Sequence, residues 1–359
     1  MATCDLLLLL TAASAAQASY FAIPLGSLGG GNSYPYAVNS GGTVAGSSGD
    51  GSNVRGFLWN GGSMTPIGTF GGGNSFLHDV NDSGVAVGVA YHSSPLFEAL
   101  VYSGGVAIGL GTLGGPESVA EGINNAGTAV VGYSRTQNGF VDFTSHAFLW
   151  NGLMFDLGTL SGSGISAAHA VNDALQIVGG SATSGSGTAP THAVLWHNGS
   201  ITDLGTLGGA HSVAYDINEA GLITGTAYNA ANQARAFLWN GVMVDLGSLA
   251  DESQGRAIND AGDVVGYSRI PSGETHAVLW QSGQIVDLNV ALLNTLPGGA
   301  WLEIAEGINN SGLIVAHGSD GMGYLLTPAP GTPEPGSLVL CAVGFSAIWH
   351  RRARRRALS

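Results

Sequence analysis

The chain contains no lysine, and charged residues of all kinds make up only 9 % of its 359 residues. All ten basic residues are arginine, and five of them are clustered close to the C-terminus. The chain also contains 24 acidic residues, which gives a formal net charge of −14. An acidic body repels phosphate backbones, so we exclude nucleic acid as a partner.

Cysteine is almost absent, because the only two are Cys4 and Cys341, both in hydrophobic terminal segments. The region between them therefore has no disulfide framework and no cysteine zinc site. Glycine is abundant, at 59 residues, and hydrophobic residues make up 45 % of the chain in short runs. This composition favours many short strands joined by tight turns over long helices or disorder.

The N-terminal segment has the features of an export signal. The apolar run Leu6–Leu10 is followed by small residues, and Ala16-Gln17-Ala18 forms a small-x-small cleavage site. These features predict a signal peptide over residues 1–18. The first five residues carry no positive charge, which departs from the usual pattern, and the alternative is a buried N-terminal helix.

The C-terminal segment, residues 329–359, combines a proline-rich stalk, an apolar stretch over 336–349 and a basic tail. The stretch predicts a short hydrophobic helix, below the roughly 20 residues of a full membrane span. The arginines would keep the tail on the cytoplasmic side, which places the body on the outer face.

This tail resembles the PEP-CTERM sorting signal. The residues that carry the resemblance are Pro333, Glu334, Pro335, Arg351, Arg352, Arg354, Arg355 and Arg356. The resemblance implies a membrane exosortase as partner, cleavage of the tail, and a Gram-negative-type bacterium with an extracellular polysaccharide matrix. An ordinary tail anchor, the alternative, would leave the protein on the same face.

An asparagine that follows valine or isoleucine recurs about every 45 residues. The seven copies are Asn39, Asn81, Asn124, Asn172, Asn218, Asn259 and Asn309. In six copies a glycine stands three positions later, and Leu175 takes its place in the other. Asparagine at the first position and glycine at the fourth predict a turn.

Each turn lies between apolar runs, and two more runs follow. The clearest copy has Phe148-Leu-Trp150, then Asn151-Gly152, then Asp156–Leu160. Asn-Gly between apolar runs predicts a hairpin, so each unit has four strands. These repeated sequence motifs resemble the HAF family of extracellular repeats over about residues 21–328. The resemblance implies surface localisation and repetition, without a defined activity.

The number of runs favours a closed ring. The last copy has only three runs and ends at Leu326, whereas the N-terminal run Ile23–Leu28 lacks a preceding partner. A strand left over at each end is what closure needs, and closure removes exposed sheet edges. We therefore predict an all-β, seven-bladed β-propeller over residues 19–328, closed by the N-terminal strand. An open β-solenoid, the alternative, would need polar caps.

Three positions before each recurrent asparagine, the residue is polar and varies from copy to copy. We call these seven positions the channel ring: Tyr36, His78, Glu121, His169, Tyr215, Arg256 and Glu306. A variable polar position in a repeated framework predicts a ligand-binding set that lines the channel. The alternative is a wall whose side chains bind water and one another. The sequence contains no pattern for a catalytic constellation, a cofactor or a metal site.

A second variable set precedes the Leu-Trp run. We call it the rim set: Arg55, Glu98, His146, His192, Arg235 and His276. Equivalent places in different blades are too far apart for one zinc ion, whose ligands lie about 2 Å away. We expect hydrogen bonding near turns or between blades instead. The repeated tryptophans favour core packing over sugar stacking.

Together these features predict an exported, surface-anchored or secreted bacterial repeat protein. We expect a non-catalytic module of the extracellular matrix that binds a glycan or another surface protein. One alternative is a polysaccharide hydrolase or lyase that uses Glu121, Glu306, His78 and His169 as acids and bases. Another is a purely structural spacer.

Overall fold

The computed structural model describes residues 18–94, 96–136, 145–185 and 191–330. Nearly all of the expected signal peptide and most of the expected sorting tail lie outside these ranges, so both remain predictions. Within the described part of the chain, no helix is long and apolar enough to cross a membrane.

The described chain forms seven antiparallel sheets of four strands each, which confirms the seven-bladed β-propeller. Blade 1 contains β2 (Ser33–Val38), β3 (Val44–Gly49), β4 (Val54–Asn60) and β5 (Ser63–Pro66). Blade 2 contains β6 (Gly71–Val80), β7 (Ala86–His92), β8 (Phe97–Ser103) and β9 (Val106–Gly109). Blade 3 contains β10 (Ser118–Ile123), β11 (Val130–Arg135), β12 (Ser145–Trp150) and β13 (Met154–Asp156).

The remaining blades repeat this order. Blade 4 contains β14 (Ser166–Val171), β15 (Ile177–Ala182), β16 (Thr191–His197) and β17 (Ser200–Asp203). Blade 5 contains β18 (Gly208–Ile217), β19 (Ile223–Asn229), β20 (Ala234–Trp239) and β21 (Met243–Asp245). Blade 6 contains β22 (Ser253–Ile258), β23 (Val264–Arg269), β24 (Thr275–Gln281) and β25 (Gln284–Asp287). Blade 7 contains β26 (Leu302–Ile308), β27 (Ile314–Gly318), β28 (Gly323–Pro328) and β1 (Tyr20–Pro24).

Strand β1 closes the ring by pairing with β28, with Phe21 opposite Thr327 and Ile23 opposite Leu325. The predicted closing run, residues 23–28, was therefore placed three residues too late. The strand begins at Tyr20 because that side chain and Ala22 are buried in the hydrophobic cluster between blades 6 and 7.

A segment that the sequence analysis did not predict covers the outer edge of β1. It contains the helix α1 (Leu288–Ala291) and a 3-10 helix (Pro297–Gly299). The N–H of Leu293 donates to the carbonyl of Tyr20 at 2.9 Å, and Asn294 makes two hydrogen bonds to the backbone of Ala22. The closing strand is thus held on both edges, which leaves it little exposed edge.

The hydrophobic core lies mainly between neighbouring blades. Phe148 of blade 3, for example, packs in one cluster with Val87 and Ala99 of blade 2. The repeated tryptophans pack in the same way, and Trp59 joins Val315 across the blade 7 boundary. Their indole rings therefore act as packing groups, as the sequence favoured.

The turn after each inner strand adopts the backbone predicted for it. The six glycines at the fourth turn position have φ between 68° and 83°. Leu175, the exception, adopts the same left-handed conformation with φ 57°. A side chain at positive φ costs about 1–2 kcal/mol, so blade 4 holds a strained turn.

We expect Leu175→Gly to raise the free energy of unfolding by about 1 kcal/mol, because glycine removes the left-handed penalty. The leucine side chain is 46 % exposed, so little buried surface is lost. Chemical denaturation measures the change. Leu153→Gly, at a 69 % exposed leucine whose φ is not positive, is the control and should be neutral or destabilising. Equal losses in both variants would contradict the prediction.

Candidate functional site in the axial channel

Every residue of the channel ring is the extra residue of a β-bulge in an inner strand. In blade 6 the pairing of β22 with β23 skips from Gly255 to Ala257, which leaves Arg256 without a partner. The other six inner strands skip at the equivalent place. A bulge re-aims one side chain while the strand stays paired. The same β-bulge in each inner strand therefore directs the variable side chain.

The ring residues contact one another from blade to blade. The rings of Tyr36 and His78 meet edge to face at 5.8 Å between centroids. His78 Nδ1 lies 3.5 Å from a carboxylate oxygen of Glu121. The rings of His169 and Tyr215 lie 5.5 Å apart. Side chains from successive blades thus approach one another around the axis.

The contacts continue through blades 5, 6 and 7. The guanidinium of Arg256 lies over the ring of Tyr215, 5.0 Å from its centroid. Arg256 Nε is 3.8 Å from Glu306, whose other oxygen is 3.4 Å from His317 Nε2. His317 then contacts Tyr36 at 6.3 Å, which returns the chain of contacts to blade 1. The channel ring therefore converges on one axial channel.

Burial favours the uncharged form of two channel histidines, His169 and His317. Burial lowers the pKa of His317 to about 4, and the charge of Arg256 adds to this effect. Burial also lowers the pKa of His169. Burial raises the pKa of Glu306, although Arg256 acts in the opposite direction. At neutral pH the wall thus offers neutral imidazoles as hydrogen-bonding groups beside its carboxyls.

Two aspartates next to the ring were not singled out by the sequence analysis. The carboxylate of Asp79 accepts hydrogen bonds from the N–H groups of Val80 and, on the next blade, Ile123. Asp216 accepts equivalent bonds from the blade 5 and blade 6 strands, both at 2.8 Å. Burial raises the pKa of Asp216 to about 7, with Asp79 contributing to the rise. The five other copies have alanine or glycine here, and that contrast could have revealed the pair.

These aspartates help line a cavity of about 210 Å³, together with several of the recurrent asparagines. The recurrent asparagines do more than the predicted turn. Asn39 Oδ1 accepts from the N–H of Thr43 in its own turn, while its amide donates to the carbonyl of Asn81. Six of the seven asparagines make this inter-blade bond, and Asn309 donates to Asn39 at 2.8 Å. The exception is Asn124, whose amide donates to Thr128 in its own turn.

The residues that follow the asparagines make a second series of inter-blade bonds at this mouth, which runs from blade 1 to blade 7. The carboxylate of Asp82 accepts from the N–H of Ser40, and Asp82 in turn donates its N–H to Asn125. Asp260 and Asn310 repeat the pattern. In the described ranges, no group of three or more His, Cys, Asp or Glu residues is arranged to hold a metal ion. The acidic side chains at this mouth thus connect blades.

The rim set forms pairs within blades, and not the contacts between blades that were one expectation. His192 Nδ1 lies 2.8 Å from Asp203 on the outer strand. The related pairs are His146–Asp156 at 2.8 Å, His276–Asp287 at 2.7 Å and Arg235–Asp245 at 3.9 Å. In blades 1 and 2 the aspartate position holds Pro66 or Gly109. There the partners are Arg55–Asp50 and Glu98–His92.

Comparisons with known proteins support the fold. No family model and no curated protein matches this chain. An acylaminoacyl peptidase of Pyrococcus horikoshii is 12 % identical with a TM-score of 0.53, and the match covers 86 % of this chain and 54 % of that one. TolB of Acinetobacter baumannii is 11 % identical with a TM-score of 0.38, over 68 % and 63 % of the two chains. This chain thus spans less than two thirds of either protein's length.

The β-propeller domain of the Trilobed protease from Pyrococcus furiosus is also similar. It is 11 % identical with a TM-score of 0.50, and the match covers 72 % of this chain and 84 % of that chain. That propeller has an open velcro topology, whereas here β1 pairs with β28. At such low identity the likeness concerns the fold alone.

Proposed function

We propose that this is an exported bacterial surface or matrix protein whose axial channel binds an extracellular glycan without turning it over. The observation that carries the proposal is the convergence of the seven variable side chains on one channel within a repeated framework. The terminal segments support export, through the expected signal peptide and sorting tail. Exosortase and the membrane remain the expected partners of that tail.

The chemistry of the channel suits a sugar. Pyranose rings have an apolar C–H face, which stacks on aromatic rings such as those of Tyr36 and Tyr215. Their hydroxyl groups need donors and acceptors at fixed places, which His169, Glu121 and Glu306 supply. Polar residues flank both tyrosines in the ring, so one ligand could contact both kinds of group.

We expect Tyr215→Ala to weaken glycan binding at least tenfold, because it removes an aromatic face inside the channel. Glycan arrays of the full chain identify ligands, and calorimetry measures the affinities. The control is Tyr228→Ala, in the same blade, whose ring contacts His211 and lies outside the ring contacts described above. Broad glycan and protein screens that stay blank would refute the proposal. So would a Tyr215→Ala variant that binds like the wild type.

One observation favours the enzyme alternative. Burial raises the pKa of Glu306, as a general acid requires. Polysaccharide turnover that is lost in Glu121→Gln or His169→Ala would replace the binding proposal with a hydrolase or lyase. If single substitutions in the channel ring leave binding and every surface phenotype unchanged, a structural spacer explains the protein better.

A further inference from the structure

Arg256 is the only arginine of the channel ring, and it has no hydrogen-bond acceptor among the described residues. It contacts the rings of Tyr215 and Tyr267 and lies near Glu306. Outside the ring, three described arginines lie within 3.3 Å of a carboxylate, and Arg235 donates hydrogen bonds to Ser248 and Gln233: the three pairs are Arg55–Asp50, Arg135–Glu117 and Arg269–Glu252. Arg256 thus differs from the other described arginines, because it makes no hydrogen bond and has no carboxylate closer than 3.8 Å.

The guanidinium is held in place by its aromatic neighbours. Its central carbon is 5.0 Å from the centroid of Tyr215 and 6.0 Å from that of Tyr267. Contacts through the faces of these rings fix the position of the group but use none of its N–H donors. The donors at its edges therefore stay available to an acceptor that enters the channel.

The nearest carboxylate does not satisfy these donors. Glu306 lies 3.8 Å from Arg256 Nε, beyond hydrogen-bond distance, and that nitrogen is buried without a partner. On the other side of Glu306, His317 Nε2 is also buried without a hydrogen-bond partner. Buried donors are nearly always satisfied in folded proteins. Partnerless buried atoms also occur outside the channel, for example at Arg235, but here two of them flank one carboxyl. The Arg256 side chain is 28 % exposed, so its terminal N–H groups can reach a ligand that supplies the missing acceptor.

A carboxylate fits this place best. The guanidinium is a planar fork whose paired N–H groups match the two oxygens of a carboxylate. The adjacent Tyr215 offers a face for the ring that carries the acid. With a net charge of −14, the chain does not attract anions in general, so an anion would have to be recognised by this local contact.

We propose that Arg256 selects glycans that carry a uronic acid, whose carboxylate binds the free edge of the guanidinium. This inference rests on the proposed glycan-binding function and names the class of sugar. The sugar ring stacks on Tyr215 beside Arg256. Arg256 then acts as the residue that determines specificity, while the rest of the channel ring supplies contacts common to neutral and acidic sugars.

The test uses the full chain and uronic acid trimers of the galacturonate, glucuronate and mannuronate types. Each trimer is offered as the free acid and as its methyl ester, which replaces each carboxylate by an uncharged group one methyl larger. We expect at least one free acid to bind wild type ten times more tightly than its ester. Arg256→Gln should abolish this preference, and Arg256→Lys should retain part of it.

Arg235→Gln is the matched control, because it removes an arginine from the rim set and should leave the preference intact. If acid and ester bind equally to wild type, the inference fails while the glycan-binding function stands. A stronger preference for sulfated sugars also overturns the carboxylate assignment. If no sugar binds at all, the proposed function itself is refuted. The comparison of acid with ester on wild type decides the matter even if a variant fails to fold.

Discussion

Gly179→Ala is expected to lower the free energy of unfolding by about 3 kcal/mol, whereas Gly180→Ala in the same strand should change it by less than about 1 kcal/mol. A Cβ on Gly179 would lie 2.0 Å from the carbonyl oxygen of Ala167 and 2.9 Å from the Cα of Ala168. Both are backbone atoms of the inner strand, which cannot move aside cheaply. A Cβ on Gly180 would make ordinary contacts, at 3.5 Å with the Val213 side chain and at 4.0 Å with the carbonyl of His192.

The steric reason applies to the whole propeller. Six blades have a glycine opposite the bulge, and in each an added Cβ would lie 1.9–2.3 Å from a backbone carbonyl: Gly46, Gly88, Gly132, Gly179, Gly225 and Gly266. Blade 7 has Ala316 instead, and its inner strand has a second register shift between Leu302 and Ile304. The glycine and the bulge thus work together to present the channel ring.

Urea denaturation of both variants measures the difference. Circular dichroism checks that each variant still forms the sheet. Equal stability of Gly179→Ala and Gly180→Ala would show that the bulge relaxes without cost, and the link between glycine and bulge would then be wrong.

Ile23→Pro is expected to destabilise the protein by about 3 kcal/mol, because it breaks the pairing that closes the ring. The N–H of Ala22 points away from β28, toward Asn294. Since amide directions alternate along a strand, the N–H of Ile23 points toward its partner Leu325. Proline removes this donor and leaves a carbonyl of β28 unsatisfied.

Ile23→Thr is the matched control. The isoleucine side chain is 40 % exposed, so threonine keeps the backbone amide and loses little buried surface. Thermal melting of both variants, with limited proteolysis to detect an opened ring, measures the effect. If Ile23→Pro melts like Ile23→Thr, the N-terminal strand does not hold the ring closed.

Much of the fold could be predicted because each unit contains its own local signals. The Asn-x-x-Gly and Asn-Gly turns mark where strands end, and the one missing strand in the last copy predicted closure. The covering segment around Asn294 could not be predicted in this way. It has no counterpart in the other copies, and its partner, Ala22, lies 272 positions away.

The candidate site was only partly predictable. The channel ring followed from variation at one position of the repeat, and the same comparison could have revealed Asp79 and Asp216. The His–Asp pairs of the rim set were also visible in the sequence. The aspartate is present in the four copies whose rim residue pairs with it, and it is absent from the two copies whose rim residue has another partner. His317 carried no such signal, since it reaches the channel from a second strand.

The sequence by itself determined the seven four-stranded units and their order, because turns and hairpins depend on residues that are close along the chain. Only the tertiary structure decided which side chains meet around the axis. Closing the ring brings Asn309 against Asn39, 270 positions apart, and places Arg256 between Tyr215 and Glu306 of the neighbouring blades. No local pattern relates such residues, so their contacts follow from the geometry of the closed ring.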